Sequence, residues 1–89
     1  MMNNIYEMIE EMRLQFGWDK SDNIEFLTNS ILEEALELKI AMMQENKDNI
    51  AFELADILMY SLTLAKMLDL DVETIIKDKI EIVKQRDYE

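Results

Sequence analysis

Cysteine, histidine and proline are all missing from this chain, and glycine occurs once, at Gly17. Each gap removes a class of structure or chemistry. Without cysteine there are no disulfides, no thiolate zinc sites and no sulfur nucleophile. Without histidine there is no imidazole ligand, and the commonest general base is gone. Any chemistry here rests on carboxylates, lysine, arginine, hydroxyls or a bound metal. The lack of proline and near lack of glycine leave few helix breakers among abundant Leu, Ile, Met, Glu and Lys, so an all-α domain is expected. Positive charge is also scarce: nine Lys and Arg stand against twenty Asp and Glu, a formal charge of −11. That balance argues against nucleic acid as a partner, because binding it rests on basic surface. Asp56 and Lys66 interrupt the most apolar stretch below the ~18 residues of a membrane span. The opening Met1-Met2-Asn3-Asn4-Ile5 has neither a basic nor an apolar leader segment, so a cytoplasmic setting without membrane contact is expected.

At 89 residues the chain is expected to form one domain, 1–89, with four helices over about 3–16, 23–45, 49–68 and 71–86. The first carries Ile5, Met8, Ile9, Met12 and Phe16 at helical spacing, with Asn3 or Asn4 as N-cap and Gly17 as its stop. Trp18 to Asp22 reads as a loop over the site, with Ser21 or Asp22 placed to cap the second helix. Asn46 or Asp48 is the expected cap of the third helix and Asp71 that of the fourth. The third helix is apolar around nearly its whole circumference, the mark of a central helix buried on most sides. The last helix is expected to turn Val72, Ile75, Ile76, Ile80 and Val83 inward. It also carries Lys77, Lys79, Lys84 and Arg86, four of the nine basic residues. So much apolar surface on so short a chain predicts a homo-oligomer.

What stands out against this background is Glu33-Glu34-Ala35-Leu36-Glu37 and, fifteen intervening residues later, Glu53-Leu54-Ala55-Asp56. Positions three apart on a helix share a face, one turn above the other. Glu34 with Glu37 and Glu53 with Asp56 are therefore two stacked pairs. If the chain between them doubles back, they meet as a cluster that repels itself unless a cation enters it. Hard divalent ions, Mg²⁺ first and Mn²⁺ second, suit such oxygen donors. The alternative is a solvated acidic face on a helical adaptor or oligomerisation module.

Glu33-Glu34-x-x-Glu37 followed by Glu53-x-x-Asp56 resembles the acidic signature of the MazG-like, all-α nucleoside triphosphate pyrophosphohydrolases. Trp18-Asp19-Lys20 upstream looks like the Trp-Asp-Lys of that family. Leu54-Ala55-Asp56-Ile57-Leu58 and the segment from Lys79 to Tyr88 are similar to its later helix and its closing basic-aromatic stretch. One position departs: Val83 stands where members often have asparagine. The resemblance covers about residues 16–88. It implies hydrolysis of (deoxy)nucleoside triphosphates to the monophosphate and pyrophosphate, in the service of nucleotide-pool cleansing, with Mg²⁺ held by Glu34, Glu37, Glu53 and Asp56. Glu33, Glu34 and Glu37 would form the catalytic group, Glu33 orienting water or standing behind the ligands. Trp18, Lys20, Lys79, Arg86 and Tyr88 would contact the nucleotide, Lys79 and Arg86 clamping phosphates or stabilising the leaving pyrophosphate, and the assembly would be a homodimer or homotetramer.

Overall fold

The computed structural model of the chain describes residues 2–86, which form α1 (Met2–Gln15), α2 (Trp18–Ser21), α3 (Ile24–Met43), α4 (Lys47–Met67) and α5 (Val72–Arg86). The all-α expectation holds, with no strand among the described residues. Tyr88 lies outside them.

Local chemistry sets the joints. Gly17 adopts φ 72°, ψ 14°, the left-handed conformation that stops α1. The stretch expected to be a loop is instead one helical turn, α2, closed by the Asp22 N–H donating to the Trp18 carbonyl at 2.9 Å. That turn moves the next cap along by one residue. Asn23, rather than Ser21 or Asp22, caps α3: it is extended at φ −143°, ψ 170°, and its side-chain oxygen accepts from the Phe26 N–H at 2.8 Å. Nor do Asn3 and Asn4 cap α1, because the helix already includes them. Asn46 caps α4 as expected, accepting from the Asn49 N–H at 3.2 Å. Asp71 caps α5, accepting from the Thr74 N–H at 3.1 Å and from its hydroxyl at 2.5 Å. The Thr74 hydroxyl and amide hold the Asp71 carboxyl below its ordinary value.

Two helix ends use a left-handed residue that is not glycine. Glu45 (φ 54°) follows α3, where the Asn46 N–H reaches back to the Ala41 carbonyl at 3.2 Å. Asp69 (φ 55°) does the same after α4, with the Leu70 N–H on the Ala65 carbonyl at 2.9 Å. Both follow the pattern in which a reversed residue ties off the last free carbonyls.

The short turn after α3 folds α4 back along it, and this hairpin is the body of the molecule. Its seam is narrow. Leu27, Ser30 and Ala41 of α3 and Thr63 and Ala65 of α4 are buried, and α1 adds Ile9 and Arg13 from one side. Only Leu27 is fully enclosed among large side chains of the described residues. The remaining apolar surface is open. Leu54 and Leu58 on α4 stay 47% and 56% exposed, so the helix expected to be buried on most sides is covered mainly where α3 and α1 meet it. α5 contributes no buried residue, and Ile75, Ile76, Ile80 and Val83, expected to face inward, are all exposed.

Candidate active site

The α3–α4 hairpin brings three of the four stacked carboxylates together. Glu34, Glu37 and Glu53 each place one oxygen within 4.8 Å of the other two. They arrive there because Leu27, Ser30, Glu34, Glu37 and Ala41 share one face of α3, and that face meets the Glu53–Asp56–Tyr60–Thr63 face of α4. Ala41 and Ser30 are small enough to keep the helices close on either side of the acidic turns.

Glu34 and Glu53 are half-buried, and one oxygen of each, Glu34 Oε2 and Glu53 Oε2, is sealed from solvent with no hydrogen-bond donor. Two facing carboxylates with no donor between them must share a proton or a cation. In the absence of a cation, the neighbouring Glu53 carboxyl, then burial, pushes Glu34 up from 4.5 to about 8. Glu37 is exposed and is raised as well, chiefly by Glu53 and with a contribution from the Glu33 charge. Glu33 itself is exposed. These oxygens fit a hard divalent ion in kind: all are carboxylate, and two are orphaned.

Asp56 is not in the three-oxygen group. It sits a turn further along α4 on a side chain one methylene shorter than glutamate, and it faces a second space. That space is a cavity of about 150 Å³ bounded also by Arg13 of α1, Trp18 of α2, Asp22, and Met59, Tyr60 and Thr63 of α4. Burial, then the charges of Asp56, Glu34 and Asp22, hold the Tyr60 phenol above its ordinary value. Tyr60 thus connects the acidic group to the cavity. Trp18 packs on Phe16 with ring centroids 5.6 Å apart and forms one wall. Lys20, on α2, is exposed.

Arg13, Asp22 and Tyr60 were not read from the sequence as site residues. Arg13 Nε donates to Asp22 Oδ2 at 3.1 Å and its Nη1 to Glu10 Oε2 at 3.2 Å, and the Arg13 and Asp22 side chains are only 10% and 9% exposed. The signal was present: Arg13 is the lone cation in the first helix and continues the Ile5–Ile9 row by one more turn. Tyr60 likewise stands four residues after Asp56, on its face. Lys79 and Arg86 lie on α5, whose first turns flank α4 along Ala55, Leu58 and Leu62, the side of that helix turned away from Glu53. Neither forms an ion pair among the described residues, and the structure does not bring them to the carboxylates.

No curated protein sequence matches the chain. Among solved structures it is similar to a pyrophosphatase from Archaeoglobus fulgidus, at a TM-score of 0.83 and 24% identity over 96% of this chain and 90% of that one. That likeness establishes the fold. Residues 22–88 match the MazG nucleotide pyrophosphohydrolase domain, a stretch that contains the carboxylates of α3 and α4. The chain therefore belongs to the MazG family of nucleotide pyrophosphohydrolases.

Proposed function

We propose that this chain, acting as a single domain within a cytoplasmic homodimer or homotetramer, hydrolyses (deoxy)nucleoside triphosphates to monophosphate and pyrophosphate, in the service of nucleotide-pool cleansing. Mg²⁺, or Mn²⁺ in its place, is the proposed cofactor. The observation that carries the reading is the pair of sealed, donorless oxygens on Glu34 and Glu53 beside Glu37, inside the stretch that matches the family. Glu34, Glu37 and Glu53 would hold the ion, with Asp56 joining them from the next turn of α4. A bound divalent cation supplies Lewis acidity toward phosphate oxygens and water and cancels the repulsion among these carboxylates. The rest is the work of side chains. Glu33, exposed one turn from Glu37, would orient water or stand behind the ligands. The Trp18-walled cavity of about 150 Å³ borders Asp56, so a base seated there keeps its phosphates toward the acidic group. Lys20, on the same α2 turn, is the cation proposed for the phosphates. Lys79, Arg86 and Tyr88 are the further substrate contacts that the family resemblance implies. No helix among the described residues is long and apolar enough to cross a membrane.

Hydrolysis in ¹⁸O-labelled water tests the bond broken. Pyrophosphate plus a labelled monophosphate is the expected pair of products. Label in inorganic phosphate with a nucleoside diphosphate as co-product would place the attack at the terminal phosphorus and end this reading.

A further inference from the structure

The cavity behind Trp18 is small, with a volume of about 150 Å³. A protein cavity of that size holds a single benzene ring. Two fused rings would have to push its walls apart, and close-packed walls resist that. What keeps the space small is a partition. Ile9, Met12 and Met59 line this cavity and also a groove of about 810 Å³ that lies between α1, α4 and the start of α5. Without those side chains the two spaces would run together.

The same cavity has a polar wall with unspent hydrogen-bonding capacity. The Arg13 and Asp22 side chains that bound it are 10% and 9% exposed. Arg13 uses Nε on Asp22 Oδ2 and Nη1 on Glu10, which leaves Arg13 Nη2 and Asp22 Oδ1 without a partner among the described residues. Neither is one of the sealed atoms, which among the described residues are the Glu34 and Glu53 oxygens, so each keeps an opening. The space that the two side chains share is this cavity. Thr63, by contrast, brings nothing polar to it, because its hydroxyl already donates to the Met59 carbonyl at 2.8 Å. One free donor and one free acceptor thus stand side by side next to a flat aromatic wall, Trp18.

We infer that the cavity sorts nucleotides by their base: it takes a single-ring pyrimidine, excludes purines by size, and reads the N3–C4 edge of the ring through the Arg13–Asp22 pair. That edge lies away from the sugar, and on cytosine, uracil or thymine it presents one acceptor beside one donor. Arg13 supplies the donor and Asp22 the acceptor that answer them in either order, and Trp18 covers the ring face. Because both groups are nearly buried, a base that fails to pair with them leaves them unsatisfied, which is where hydrogen-bond readout discriminates most. Arg13 and Asp22 are then specificity-determining residues that act on the base and leave the phosphates to the acidic group. The assignment rests on the activity proposed above, which brings a nucleotide here, and names its substrate class.

Trp18 is the sole tryptophan, so its emission reports on the cavity without a label. Wild-type protein with Mg²⁺ is titrated with the ribo- and deoxyribonucleoside monophosphates of cytosine, uracil, adenine and guanine, which contain no bond for the enzyme to cleave. The best pyrimidine nucleotide should shift the emission and bind at least about tenfold tighter than any purine one. It should also bind at least about tenfold tighter than the matching pyrimidin-2-one nucleotide, which keeps the ring and lacks the group at C4. Met59→Ala, which opens the partition into the groove, should bind purine nucleotides at least about tenfold better than wild type does, a gain that misfolding cannot produce. Purines bound as well as pyrimidines, an emission that no nucleotide changes, a pyrimidin-2-one nucleotide held as tightly as its parent, or a Met59→Ala protein of wild-type helicity that still excludes purines would each overturn the inference. Pyrophosphate release from the corresponding triphosphates reads the proposed activity separately. Selective pyrimidine binding without release sinks that activity alone, and release at equal kcat/KM from purine and pyrimidine triphosphates sinks the base pocket alone.

Discussion

If Glu34 is the group that must give up its proton for a cation to enter, divalent binding has a calculable pH dependence. With the Glu34 carboxyl raised to about 8, the fraction of protein ready to bind is about one half at pH 8 and about one hundredth at pH 6. Apparent affinity should therefore fall about 50-fold between the two, with about one proton released per ion bound at pH 6. In stability terms, Mg²⁺ at one hundred times its pH 8 dissociation constant stabilises the fold by about 2.7 kcal/mol at pH 8 and about 0.6 kcal/mol at pH 6. At about 4–8 °C per kcal/mol for a domain of this size, the thermal midpoint should rise by about 10–20 °C at pH 8 and by about 3–5 °C at pH 6.

Without metal the slope reverses. A carboxyl raised from 4.5 to about 8 by folding contributes stability that is fully present below pH 4.5 and lost as the pH climbs through 8, because the folded state alone holds the proton in that window. Chelator-treated wild type should accordingly weaken from pH 5 to pH 8, while Glu34→Gln stays flat, neither binds nor turns over, and keeps its helicity. Calorimetric titration in buffers of different ionisation enthalpy counts the protons, and scanning calorimetry reads the midpoints. Affinity unchanged between pH 6 and pH 8, or a Glu34→Gln protein that binds Mg²⁺ like wild type, would refute the reasoning.

Three further outcomes concern the frame around the site. Leu27→Ala, at the fully enclosed side chain of the seam, should cost about 3 kcal/mol in denaturant unfolding. Arg13→Met, which leaves the Asp22 carboxylate enclosed without its partner, should cost about 2–3 kcal/mol and loosen α1 by amide exchange. Glu45→Gly and Asp69→Gly, at the two left-handed helix ends, should each raise stability by up to about 1 kcal/mol; a loss at either would mean that the side chain holds something the backbone conformation does not reveal.

The features legible in the sequence are those set by neighbours along the chain. The long helices, the Gly17 stop and the Asn46 and Asp71 caps all depend on residues within a turn of one another, and helical spacing stacked Glu34 on Glu37. The Ser21-Asp22-Asn23 run shows where such reading fails. Three consecutive residues were chemically able to cap α3, and the choice was made from outside: Arg13 of α1 engages the Asp22 carboxylate at 3.1 Å, leaving Asn23 to cap. The same limit applies to Asp56. Spacing puts it on the face of Glu53, but the cavity it borders exists only because α1 and α2 pack over that side of α4.

Periodicity also identifies surfaces that need covering without saying what covers them. α4 turns Glu53, Asp56, Tyr60 and Thr63 toward α3 and Ala55, Leu58 and Leu62 away from it, and in a single chain those two sides meet different fates. The first closes over the seam and carries Glu53 and Asp56 into place, whereas Leu58 remains 56% exposed on the second. The carboxylates proposed to hold a cation and the uncovered apolar side chains of α4 lie on opposite sides of that helix, so a substitution at Leu58 or Leu62 can change the apolar surface without entering the acidic group.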